Sequence, residues 1–311
     1  MPFSEGYEGT IMRREELFNR DGVYSAIVHH NLLMHREATD MGAGILKTLF
    51  EGRPKSKPVK VLDLACGGLP ISIVAMMEKV AGARFSYTGI DINPDQVALA
   101  DKFFRLSDNV CQVQLLEANA WDVKPLELES PFDIIFTGLN LHHGTPEEID
   151  YLMAQVYDLL DASGIFLNHD WYRPDRETYV RRPSRNPRDE EECYRLVSQT
   201  KLSANTRPYG KASMNFRAAN AQWRLTFIDG LTDSYRLRTS DDKGADTLKS
   251  HMLERDFPVS RQDLADILTA HGFHHEIFNY NDSGLAIRPF MAMPIASKNQ
   301  SVCLKALTAV S

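Results

Sequence analysis

Three short stretches of this chain put polar groups where a small molecule can be held. The first is Val61-Leu62-Asp63-Leu64-Ala65-Cys66-Gly67-Gly68-Leu69-Pro70. It reads as a strand, a tight turn of small residues and the start of a helix. Small residues let a ligand approach the backbone, and a helix N-terminus offers free N–H groups. Asp63, at the strand end, can accept hydrogen bonds from an ammonium group. The second stretch is Gly89-Ile90-Asp91-Ile92. An acid at the tip of the next strand suits the two hydroxyls of a ribose. The third is Ala118-Asn119-Ala120-Trp121-Asp122, where an amide beside an aromatic ring fits an adenine edge and face.

Histidines supply the groups that could move a proton. His142-His143 follow the apolar run Phe132–Phe136, and His169-Asp170 follow Gly164–Leu167. His169 and Asp170 would point to the same open edge as the other strand ends. They read as a general base with its orienting carboxylate, or as a satisfied turn. His29, His30 and His35 read as the polar face of an N-terminal helix. Cys66 reads as a small buried residue whose backbone matters more than its thiol. The four cysteines are scattered without a CxxC pair, so neither a zinc site nor a disulfide framework is expected.

The elements that must position these groups follow from the apolar pattern. Residues 9–52 read as helical, with a break at Gly22. Strands are expected at Val59–Leu64, Phe85–Ile90, Val113–Leu116, Phe132–Phe136 and Gly164–Leu167. Helices are expected at Ile71–Val80, Asp95–Phe104 and Pro146–Leu160 between them. This alternation means right-handed βαβ units and a parallel sheet. The rhythm stops after Trp171. It resumes at the helix Ser260–His271, with Ser260 and Asp263 in capping-box spacing, followed by strands near Phe273–Tyr280 and Phe290–Ser297. At 311 residues the chain can bury a large core without staples, and 43% apolar with 25% charged residues is ordinary for a globular protein. A net charge of −7 argues against a dedicated nucleic-acid binder. No apolar run is long enough to span a bilayer, and the polar, acidic N-terminus is unlike a signal peptide, so no membrane partner and a cytoplasmic location are expected.

Taken in order, these motifs resemble the class I S-adenosylmethionine-dependent methyltransferases. The family pattern of an acid followed by three alternate glycines reads here as Asp63, Ala65, Gly67 and Leu69. Asp91 matches the ribose acid, and Asn119-Ala120 the adenine loop. Phe132–Phe136 followed by Leu141-His142-His143 looks like the fourth strand and its loop, and Ala162–Leu167 the turn into the fifth. The resemblance covers about 58–172 and 260–298. It implies an α/β, Rossmann-like, doubly wound and mostly parallel seven-stranded sheet, with N-terminal helices over 1–55, a core over 56–172, an inserted helical lid over 173–258 and the end of the core over 259–311. It implies S-adenosylmethionine bound by Asp63, Ala65, Cys66, Gly67, Asp91, Ile92, Asn119, Ala120, Trp121, Thr137 and Gly138. His142, His143, His169 and Asp170 become the groups near the sulfonium, at most one of the first two acting in chemistry. The metal-dependent members place an acid after strand four; this chain offers Asn140, Asn168 and Asp170, so no metal is expected. A dinucleotide fingerprint GxGxxG is absent.

Residues 173–258 exceed the usual loop between strands, so they read as a lid over the acceptor. Arg181 and Arg182, in an arginine run that precedes Asp189-Glu190-Glu191-Glu192, would clamp an anionic acceptor, or else form a solvated surface. Tyr172 would line the acceptor pocket. A compact acceptor under such a lid points to O-methylation of a hydroxyl or carboxyl group of a small molecule. Thr137-Gly138-Leu139-Asn140 stands where NPPY marks amino-group methylation in the family, which disfavours nucleic acid. Lids of this kind can also pair two copies, so a homodimer stays open. The alternatives are a protein or RNA methyltransferase working through the arginines, and a degenerate binding module, which Leu69 keeps in view.

Overall fold

The computed structural model describes residues 22–104, 109–173, 221–256, 258–280 and 291–310. Its strands are β1 (Val59–Leu64), β2 (Phe85–Asp91), β3 (Val110–Glu117), β4 (Phe132–Gly138), β5 (Leu160–Trp171), β6 (His274–Asn279) and β7 (Met291–Ser297). They form one sheet in the order β3-β2-β1-β4-β5-β7-β6. β1 to β5 pair in parallel, and β7 runs antiparallel to both β5 and β6, so the sheet is mixed. From β1 the chain winds outward to β3, then crosses back to β4 on the other side. That reversal opens a crevice at the carboxyl ends of β1 and β4, where open α/β sheets bind ligands.

The helices are α1 (Val23–His29), α2 (His35–Phe50), α3 (Ile71–Glu78), α4 (Pro94–Phe104), α5 (Pro146–Leu159), α6 (Ala221–Thr239), α7 (Asp242–Arg255), α8 (Arg261–Ala270) and α9 (Gln300–Leu307). Successive strand residues point to opposite faces. Val61, Ile134 and Leu167 join one core with α2, α3, α6 and α7. Their neighbours Leu62, Ile135 and Phe166 join a second core with α5 and α8. Both faces are covered, which is why β1 and β4 read as nearly unbroken apolar runs. α5 and α8 both start with complete capping boxes, Thr145 with Glu148 and Ser260 with Asp263.

β5 runs to Trp171, well past the expected end at Leu167. Asn, His and Asp are poor strand formers, so the sequence pattern fades where the strand does not. Here each finds a buried partner. Asn168 Nδ2 donates to the Thr137 carbonyl, His169 Nδ1 meets the Tyr280 hydroxyl at 2.6 Å, and Asp170 accepts from three backbone N–H groups. β3 likewise starts at Val110 rather than Val113.

Of the expected lid, α6 and α7 are described, and both are helical. The Phe227 ring on α6 stacks on Trp171 of β5 with centroids 4.0 Å apart and planes 12° from parallel. Buried Arg224 donates to the Met252 and Leu253 carbonyls near the end of α7, satisfying groups that a helix C-terminus leaves open. Arg173, at the root of the insertion, is ion-paired with Asp263 of α8. Arg181 and Arg182 lie outside the described residues. Among the described residues no helix is long and apolar enough to cross a membrane.

Candidate active site

The crevice between β1 and β4 deepens into one pocket that reaches under α1, α6 and α7. Its first half is built by strand ends. Asp63, Ala65, Cys66 and Gly67 come from β1 and its turn, Asp91 and Ile92 from β2, Asn119, Ala120 and Trp121 from the loop after β3, and Gly138 from β4; all line the pocket. Gly67 turns with φ +60° and Ala65 with φ +58°. Glycine takes that left-handed region freely, whereas alanine is strained there. The Asp91 carboxylate holds the turn, accepting from the Gly67 and Asn93 N–H groups at 2.9 Å each. A carboxylate has about four acceptor positions, the chemistry that a ribose diol calls for. Gly68 N–H donates to Gln96 Oε1, and a Cβ on Gly68 would lie 2.7 Å from that oxygen.

Asp63 is 2% exposed and accepts a hydrogen bond from the Tyr87 hydroxyl at 2.7 Å. Burial raises its carboxyl to about 7, against the Tyr87 bond and with a further push from Asp91. Among the described residues no cation pairs with it, and such a buried acid fits the ammonium group of a bound amino acid moiety. Burial also raises the Cys66 thiol, with Asp63 and Asp91 adding to the effect, so it stays protonated. These residues suit S-adenosylmethionine: an acid for the ammonium, an acid for the ribose, and an amide beside Trp121 for the adenine.

The second half of the pocket holds histidines. His142 Nδ1 lies 2.6 Å from Asp170 Oδ1. Burial disfavours its charged form, but the charges of Asp170 and Asp256 and the bond to Asp170 outweigh burial and raise its pKa. Asp170 also accepts from the Asn140 and Leu141 N–H groups through Oδ2, so it fixes the turn and the ring together. The expected His169–Asp170 pair does not form. Adjacent strand residues point apart, so Asp170 serves His142 while His169 faces α2. Burial pushes His169 down to about 4 despite Asp170, and it is a neutral imidazole bound to Tyr280.

Two further expected residues turn away from the pocket. Thr137 Oγ1 donates to the Leu64 carbonyl, tying β4 to β1. Tyr172 lies in the second core and donates to Asn168 Oδ1. Conversely, the pocket gains residues that no motif marked. His35, read from the sequence as part of a polar helix face, is 5% exposed and forms pocket wall, its ring 5.5 Å from that of His169. Burial lowers it to about 3, with His169 adding to the effect. His251 and Asp256, at the end of α7, also line the pocket, with Tyr24, Leu231, Leu248 and Met252. Spacing carries no signal for these, because helices distant in the chain bring them in.

Comparison with known proteins bears on this arrangement. A family model described as a methyltransferase domain matches residues 61–164, the span from β1 into β5 that carries all three cofactor loops. Residues 61–164 thus match a methyltransferase domain. A non-reducing polyketide synthase of Penicillium brasilianum is 32% identical over 140 residues, which are 44% of this chain and 6% of the synthase. An uncharacterized methyltransferase of Synechocystis is 30% identical over 115 residues, 37% of this chain and 48% of that one. The chain thus spans less than half the length of either curated relative. Two solved structures share the fold of this chain. The plantazolicin methyltransferase BamL, in complex with a triazolic desmethylPZN analog and SAH, has a TM-score of 0.51 at 12% identity, covering 94% of this chain and 99% of that one. An O-methyltransferase family protein from Burkholderia thailandensis also has a TM-score of 0.51, at 13% identity, covering 94% and 67%.

Proposed function

We propose that this methyltransferase transfers a methyl group from S-adenosylmethionine to a hydroxyl group of a compact small-molecule acceptor. The observation that carries the reading is His142, which lines the same pocket as the three strand-end loops and is held from behind by buried Asp170. Bound S-adenosylmethionine supplies an electrophilic methyl group on a sulfonium.

The chain's own residues do the rest. Asp63 pairs with the ammonium group, Asp91 with the ribose hydroxyls and the Asn119–Trp121 loop with the adenine. Asp170 occupies His142 Nδ1, so Nε2 is the ring atom left to take the acceptor's hydroxyl proton. The neutral imidazoles of His35 and His169 offer hydrogen bonds that orient the acceptor without adding charge. Among the described residues His35 Nδ1 is buried without a hydrogen-bond partner, and a bound acceptor would supply one. Apolar walls from Ile27, Leu33, Leu231, Leu248 and Met252 exclude water and favour an aromatic or otherwise apolar skeleton. Arg181 and Arg182 stay in the proposal as a clamp for an anionic group on the acceptor.

The test starts from calorimetric titration with S-adenosylhomocysteine and S-adenosylmethionine, followed by methyl uptake into small phenols. His142→Ala and Asp170→Asn should each lower turnover by about 10²- to 10⁴-fold, the usual worth of a general base, with S-adenosylhomocysteine affinity kept. Unchanged turnover in both variants would remove the dyad from the mechanism.

A further inference from the structure

Three histidines of the pocket converge on one carboxylate oxygen. His142 Nε2, His143 Nδ1 and His251 Nε2 lie 3.7, 3.2 and 3.8 Å from Asp256 Oδ1. For His142, His143 and Asp256 the nearest donor atoms all fall within 4.8 Å of one another. Asp256 is buried.

We propose that His142, His143 and Asp256 bind a divalent transition-metal ion, with His251 flanking it. Bonds of about 2.0–2.2 Å in a tetrahedral site place ligand atoms roughly 3.3–3.5 Å apart. The separations from Asp256 to His142 and His143, 3.7 and 3.2 Å, bracket that edge length. Asp170 supplies the outer layer. It holds His142 Nδ1 at 2.6 Å, and a carboxylate on the far ring nitrogen is how metal-bound histidines are oriented. Two imidazoles and one carboxylate suit zinc or iron(II) and are poor for magnesium or calcium, which take oxygen ligands. The charge also fits: Asp170 and Asp256 are both buried carboxylates, and a dication offsets two negative charges. All three ligands line the pocket, which gives the ion a way in and leaves positions open toward an acceptor.

The consequence for catalysis rests on the methyltransferase reading, whereas the binding of the ion does not. His142 is the base of the ion-free enzyme, and the ion would take over the activation of the acceptor when it is bound. Held by His142, His143 and Asp256, the ion would supply Lewis-acid lowering of an acceptor hydroxyl's pKa.

The experiment uses untagged, full-length protein stripped of metal and titrated with Zn²⁺ alone, and in parallel with Co²⁺, whose visible spectrum reports its coordination. One ion per chain is expected. Asp256→Asn and His143→Ala should each weaken Zn²⁺ binding by about a hundredfold or more, and Asp170→Asn by about 10- to 100-fold. S-adenosylhomocysteine titrations of the same samples show that the variants are folded. Absence of saturable Zn²⁺ binding, or equal binding by the wild type, Asp256→Asn and His143→Ala, overturns the site. Zn²⁺ binding by a wild-type chain that ignores S-adenosylhomocysteine would keep the metal site and overturn the methyltransferase reading.

Discussion

Asp63 shows how one residue sets both affinity and stability. Its carboxyl sits near 7 because burial opposes its charge. The groups facing it are Tyr87, Asp91, Cys66 and Tyr24, none of them a cation. An ammonium ligand needs the charged form, so affinity for S-adenosylhomocysteine should fall as pH drops from about 8 to about 6. A flat calorimetric profile over that range would unseat Asp63 as the ammonium partner. The stability effect has the opposite sign. The folded-state pKa lies above the unfolded value of about 3.9, so the unfolded chain gives up this proton first. The contribution to stability is whole below about 4 and is lost as pH rises through about 7. Asp63→Asn should therefore melt above the wild type at pH 8, by a margin that vanishes near pH 4. It should also lose about 10- to 100-fold in cofactor affinity, the worth of a charge-assisted hydrogen bond. A variant that melts lower than the wild type at pH 8 would contradict the burial argument.

At the level of elements, the turn after β1 and the end of β5 matter most. Ala65 is held at φ +58°, where a Cβ costs about 1–2 kcal/mol, and glycine gives back about 0.5–1 kcal/mol of that in chain entropy. Ala65→Gly should then raise stability by up to about 1 kcal/mol and leave cofactor affinity unchanged, read from denaturant midpoints and titration. A loss of stability would mean that the methyl group packs usefully. β5 reaches the pocket only because its polar end is fully bonded, and it meets the insertion through the stacked Trp171 and Phe227 rings. Phe227→Ala should cost about 3–5 kcal/mol, as large-to-small changes at buried aromatics do. It should also raise acceptor KM more than it weakens S-adenosylhomocysteine binding. Equal effects on both ligands would place α6 outside the acceptor chamber.

For the whole molecule, the pocket couples parts of the chain that fold separately in sequence. The N-terminal helices, the sheet and the insertion helices share one apolar core, so a ligand in the pocket stabilises all three. At a hundred times its Kd, S-adenosylhomocysteine adds about 2.7 kcal/mol. For a chain of 311 residues that is about 4 °C in Tm, from a typical unfolding entropy per residue. A thermal scan with no shift at saturating ligand would show that the binding unit melts apart from the rest.

The cofactor half of the site was legible in the sequence because it is local. Each loop sits at the end of its own strand, and a parallel sheet brings strand ends to one edge. Thr137 and Tyr172 mark the limit of that reading. They sit in the right segments but face away, because register along a strand decides which neighbour looks into the pocket. The same alternation gave Asp170 to His142 and left His169 to Tyr280. Sequence alone determined the fold class and which strand ends meet at one edge, since strand–turn–helix order and apolar pattern are properties of the chain itself. Tertiary structure decided the acceptor end. His35, His251 and Asp256 reach it on helices far apart in the chain, and only burial of those helices' apolar faces against the sheet brings their polar groups together.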